Sequence, residues 1–173
     1  MLSRQVHHIQ IPQVVSLCAS SSDKAQVHIT INPSGIFDTE APSNPYPGIM
    51  GNHTGTIKPN HTVIAAELYT YPCTGTGTGT GGHTEYAKIG NLTWNATATW
   101  KGYAEDWHNI TFDKTVVLLA NNTYNYTIRT GSYPQIIHEQ NHTTLDGSFI
   151  NCTQFTDANG RKHTNWIPAI RLH

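Results

Sequence analysis

Trp94-Asn95-Ala96-Thr97-Ala98-Thr99-Trp100 is the stretch that decides the fold class. Alternate residues of an extended chain share a face, so Trp94, Ala96, Ala98 and Trp100 form one apolar side. Asn95, Thr97 and Thr99 take the other. The same period runs through Tyr124-Asn125-Tyr126-Thr127-Ile128, with Asn125 outward, and through Asn109-Ile110-Thr111-Phe112, with Asn109 outward. A helix would repeat its apolar residues at i, i+3 and i+4, and no long window does so.

Working outward, further segments alternate in the same way. They are Gln26–Asn32, Val63–Tyr71, Thr84–Ile89, Leu92–Lys101, Thr115–Leu119, Thr123–Thr130, Ser148–Phe155 and Trp166–Leu172. Turn-forming clusters separate them, among them Asn32-Pro33-Ser34-Gly35, Asp113-Lys114 and Asp157-Ala158-Asn159-Gly160. The expectation is an all-β chain, an antiparallel β-sandwich of jelly-roll type with eight or nine short strands over residues 25–173. Residues 38–60, with four prolines, read as a long ordered loop or crossover. Residues 1–24 read as a disordered lead-in or precursor fragment, because Pro12 and Gln13 interrupt their only apolar patch.

Only 12% of the 173 residues are charged, against about 25% in an average soluble protein. Thr, Asn, Ser, Gly and His supply the polarity instead, and these suit strand faces and turns. With a net charge of −1 and no run of Lys or Arg, a nucleic-acid partner is excluded. No apolar stretch approaches the length of a membrane-spanning helix.

Asn-x-Thr begins at nine positions: Asn52, Asn60, Asn91, Asn95, Asn109, Asn121, Asn125, Asn141 and Asn151. A glycan cannot be buried, so such asparagines must face solvent. Asn95, Asn109 and Asn125 fall on the outward side of their strands by the alternation above. This points to an extracellular or cell-surface chain. Cys73 and Cys152 sit beside strand-like segments, and an oxidising compartment would allow them to form a disulfide across the sandwich. Cys18 is then left over, and no Cys-x-x-Cys or zinc-finger spacing exists.

Two segments concentrate chemistry. His83-Thr84-Glu85 and Asp106-Trp107-His108 each place two metal-ligating groups at i and i+2, on one side of an extended chain. Brought together, His83, Glu85, Asp106 and His108 would hold a divalent metal ion in a mixed nitrogen and oxygen set. The competing reading makes them surface polar groups. Tyr103 and Trp107, in the Gly-rich turn Gly102–Asn109, are the best placed aromatics for stacking on a sugar ring. Thr74–Gly82 is a low-complexity Thr-Gly loop that lacks the lysine of a phosphate-binding loop.

The strings at 70–77 (TYPCTGTG), 81–89 (GGHTEYAKI), 98–112 (ATWKGYAEDWHNITF), 121–136 (NNTYNYTIRTGSYPQI) and 165–172 (NWIPAIRL) carry a resemblance. Together they resemble an uncharacterised domain at the carboxyl end of large predicted cell-surface proteins of methanogenic and related archaea. The resemblance covers about residues 38–173, and the Thr-Gly repeats at 76–80 depart from it. It implies surface location and glycoprotein character, and it implies no activity. The expected function is a surface module for adhesion, assembly or display, with other surface proteins, glycans or a second copy as partners. A carbohydrate-binding module and a metal-dependent hydrolase are the alternatives.

Overall fold

The computed structural model describes residues 35–73, 81–102 and 107–173, together with the backbone of 13–18 and 26–31. In chain order the first strands are β1 (Gln13–Cys18), β2 (Gln26–Ile31), β3 (Phe37–Asp38), β4 (Gly51–Lys58) and β5 (Val63–Thr70). β6 (Thr84–Gly90), β7 (Asn95–Thr99), β8 (Asn109–Leu118), β9 (Tyr124–Thr130) and β10 (Ile136–Ile137) follow. β11 (Asn141–Thr143), β12 (Phe149–Asp157), β13 (Lys162–His163), β14 (Ile167–Pro168) and β15 (Ile170–Leu172) complete the chain. The fold is all-β, and every ladder between these strands is antiparallel.

The main sheet runs β11-β12-β4-β9-β6-β7-β8-β5-β15-β3, with β13 also on β12. β10 and β14 form a small second sheet, and β1 pairs with β2 in a third. The boundary expected at residue 24 therefore falls between two paired strands, and the rest of residues 1–24 lies outside the described residues.

The main sheet curls, and one of its joints is narrow. β7 and β8 share a single pair, Ala98 with Phe112. β8 meets β5 at Asn109–Thr111, leaves it, and meets it again at Val116–Leu118. Beyond that joint β8, β5, β15 and β3 supply Ile110, Phe112, Val116, Leu118, Leu68, Ile170, Leu172 and Phe37 to the core. The other half supplies Ile57, Ala87, Ile89, Ala96, Tyr126, Ile128, Ile150 and Phe155 to the same cluster. Two apolar sheet faces thus close on each other, in the manner of a sandwich. Thr70 and Thr84 join the halves through a hydroxyl pair at 2.7 Å.

The alternation read from the sequence holds at the core. Tyr124, Tyr126, Ile128, Ile110, Phe112 and Leu68 are buried, whereas Asn95 and Asn125 are exposed. Trp94 and Trp100 are half-buried against the core, and Asn109 is half-buried.

Three segments differ from expectation, each for a physical reason. Residues 51–58, read as loop, form β4 in the middle of the sheet between β12 and β9. Its inward face is His53, Gly55 and Ile57, so hydrophobicity does not announce it. Gly55 is needed there, since a Cβ would fall 1.9 Å from the Asn151 carbonyl and 2.7 Å from the Tyr126 hydroxyl. The turn expected at Asp113-Lys114 is continuous strand instead. The Asp113 carboxylate accepts the Thr97 N–H and hydroxyl, each at 2.9 Å, and so serves the neighbouring strand. Trp166–Leu172, expected as one strand, is split between two sheets at Ala169.

The expected Cys73–Cys152 disulfide is corrected: both are free, buried thiols. Cys73 lies past the end of β5, its backbone tied to Tyr133 and its Sγ donating to the Pro134 carbonyl at 3.3 Å. Cys152 faces inward from the middle of β12, opposite Gly55 and within hydrogen-bond reach of the Trp166 backbone. Separate neighbours hold the two side chains, and burial pushes both thiols above their ordinary pKa.

Candidate functional site

The His83–Glu85 segment and the turn ending at His108 do come together. β6 pairs with β9 as Thr84 with Thr130 and then Tyr86 with Arg129, so Glu85 is the extra residue of a bulge. The bulge breaks the i, i+2 alternation that would have put His83 and Glu85 on one side. The Glu85 carboxylate instead meets Arg129 at 2.9 Å, with both side chains about half exposed. A pair this wet contributes about 0.2–1 kcal/mol.

His83 turns inward and is 6% exposed. Its Nδ1 accepts the Ser132 N–H at 3.2 Å and lies 3.2 Å from the Ser132 hydroxyl. Neutral His83 therefore carries its proton on Nε2. Gly131 forms the floor under the ring, since a Cβ there would stand 1.9 Å from Cε1. Trp107 covers the imidazole with ring centroids 4.1 Å apart, and Trp100 lies at 4.8 Å. The two indoles meet edge to face at 5.2 Å. Burial lowers the His83 pKa; Glu85 opposes this, while His108 adds to it.

Of the four residues named for a metal, three have other partners here and Asp106 lies outside the described residues. Among the described residues no three His, Cys, Asp or Glu side chains converge on a point. Glu85 is committed to Arg129, and His83 Nδ1 to Ser132. His108 Nδ1 bonds the Gly82 carbonyl at 3.1 Å, which joins the two segments. Asp106 and Tyr103, named for metal and sugar binding, lie outside the described residues, as do residues 74–80 of the Thr-Gly loop.

The aromatic surface continues past His108. Tyr69 lies 6.0 Å from the His108 ring and packs edge-on to Tyr71 at 5.0 Å. The Arg171 guanidinium sits 4.9 Å over Tyr69. The Tyr71 hydroxyl donates to Asp38 at 2.8 Å, and burial with that bond raises its pKa. A band from Tyr71 to Trp100 results. Tyr69, Tyr71, Trp100 and Trp107 stand out in the sequence as aromatics. Ser132, Gly131, Arg171 and Asp38 do not, because their partners lie on other strands.

A second feature crosses the outer face of the main sheet. Cross-strand pairing aligns Asn141 with Asn151, Asn151 with Thr56, Thr56 with Asn125, Asn125 with Gly90, and Gly90 with Asn95. Paired residues of neighbouring strands share a face, so four sequon asparagines form one row over six strands. Asn141, Asn125 and Asn95 are exposed; Asn151 is half-buried, its carboxamide oxygen accepting the Thr56 N–H and hydroxyl. Asn52, Asn60, Asn91 and Asn121 are exposed as well. Gly90, with no side chain, leaves a shallow hollow between Asn95 and Asn125.

No protein-family model, curated protein or solved structure matches the chain. Among the described residues no helix is long and apolar enough to cross a membrane.

Proposed function

We propose that this chain is a secreted or cell-surface interaction module, serving adhesion, assembly or display, and that its outer sheet face carries N-linked glycans. The observation that carries this reading is the row Asn141, Asn151, Thr56, Asn125, Gly90, Asn95 across the solvent face of six strands. Period-2 alternation gives a strand asparagine two faces to choose from. Asn52, Asn95 and Asn125 all take the wet one, which is the face a glycan requires.

Its carboxylates do structural work. Asp113 caps Thr97, Asp157 accepts the N–H groups of Asn159 and Arg161, and Asp146 takes the Ser148 hydroxyl at 2.7 Å. These bonds hold turns and sheet edges, which is the task of a scaffold. The test is passage of the chain through a secretory pathway, followed by peptide mapping and endoglycosidase digestion. Occupancy at Asn95 or Asn125, with a mobility shift on digestion, is expected. A secreted chain with every sequon unmodified overturns the reading.

The aromatic band favours a second reading, in which this surface binds carbohydrate. Trp107, Trp100, Tyr69 and Tyr71 are half-buried rings of the kind that stack on the apolar face of a pyranose. A glycan array with the wild-type chain and Trp107→Ala tests it, and equal signals from both remove the reading.

A further inference from the structure

We infer that Asn91 is a glycan attachment site whose first sugar packs onto an exposed apolar patch of this same chain. This rests on the glycoprotein reading above and adds to it a particular residue and a structural role for the sugar.

The patch lies at the end of the β6–β7 turn. Val117 is 40% and Leu119 43% exposed, and Trp94 is half-buried beside them. Asn91, Trp94, Val117, Leu119 and Tyr124 line a shallow cavity of about 240 Å³ there, a space on the scale of one hexosamine ring. Apolar groups gathered beside a sequon offer a surface that a sugar linked there can cover.

The asparagine on its rim is held for the purpose. Asn91 Oδ1 accepts three hydrogen bonds at 3.0 Å, from the Thr93 N–H, the Thr93 hydroxyl and the Trp94 N–H. Its own N–H donates to the Trp94 carbonyl at 2.7 Å. This local side-chain turn fixes the carboxamide plane through its oxygen. Nδ2, the atom that takes the sugar, is left without a hydrogen bond among the described residues. The attachment atom therefore starts from an ordered position on the rim of the patch. A pyranose has one face of C–H groups, and an indole offers a broad apolar ring to it. Leu119 and Val117 give that ring further apolar contact. The N-acetylhexosamine linked to Asn91 is the occupant that the position of the sequon selects.

The experiment uses the chain secreted from a glycosylating host and trimmed to one sugar per site. It pairs peptide mapping with thermal melts of four forms: wild type, Trp94→Ala, Thr93→Ala, and the double substitution. Thr93→Ala removes the sequon and keeps Asn91. The expected result is occupancy at Asn91, with Trp94→Ala lowering the melting temperature by about 2–4 °C more in the sequon-bearing background than in the Thr93→Ala background. Chain made without glycosylation should lose that difference, which separates sugar contact from loss of the Thr93 hydroxyl. Occupancy at Asn91 with equal Trp94→Ala costs in both backgrounds overturns the packing while leaving the glycoprotein reading intact. An empty Asn91 beside other occupied sequons overturns this inference alone, as does a dimer of this chain abolished by Leu119→Glu. No occupied sequon at all overturns both readings.

Discussion

The His53 imidazole lies flat on the Phe155 ring, centroids 4.1 Å apart and planes 25° from parallel. His53 is fully buried in β4, with Nδ1 3.2 Å from the Trp166 carbonyl. Burial pushes its pKa down to about 3, against a smaller opposing effect of that carbonyl. Between about pH 3 and pH 6.5 it therefore stays neutral in the fold while an unfolded histidine is protonated.

From this follows an acid sensitivity of stated sign. Above pH 6.5 His53 is neutral in both states and its contribution is complete. As pH falls from 6.5 toward 3 the unfolded chain takes up a proton that the folded chain refuses, so stability drops. The loss from this residue is on the order of 3 kcal/mol between pH 7 and pH 4. Burial lowers the pKa of His83 and His138 too, which acts in the same direction. Urea unfolding at a series of pH values checks this. His53→Gln should be less stable at pH 7 and show a flatter slope below pH 6.5; an unchanged slope would place the proton uptake elsewhere.

Gly55 and Gly160 should respond very differently to alanine. A Cβ at Gly55 meets the Asn151 carbonyl oxygen at 1.9 Å, and that atom belongs to the backbone of a central strand. Gly55→Ala should cost about 3 kcal/mol or more, the upper end of core overpacking, because the clash is with backbone. Gly160 has open space around it and only a left-handed φ of 80° to accommodate, so its cost should be about 1–2 kcal/mol. Equal melting temperatures for the two variants would contradict the placing of β4.

Neither Cys73 nor Cys152 should react in the folded protein. Both are buried, and burial raises the pKa of each thiol, so little nucleophilic thiolate is available. Alkylation of the native chain should leave both unlabelled. Alkylation in denaturant without reductant should label both, and reductant should leave the melting temperature unchanged. A cross-linked Cys73–Cys152 peptide would refute this arrangement.

The sequence by itself determined the fold class and which side of the clearest strands faces water. It could do so because Trp94–Trp100 and Tyr124–Ile128 separate apolar from polar residues at every second position, and burial acts on each position locally. It also brought the two chemically rich segments to attention, and they meet. What it left undecided depended on partners distant in the chain. β4 carries one apolar residue on its inner face, so its central place comes from Tyr126 and Asn151 fitting over Gly55. The bulge at Glu85 arises from pairing with β9, and it turned an apparent His-Glu pair into a buried imidazole and a solvent ion pair. Cysteine spacing allowed a bridge, but the sheet gave each thiol a separate site. The asparagine row was legible only as scattered sequons, because cross-strand register is set where the two apolar faces close and not within any one strand.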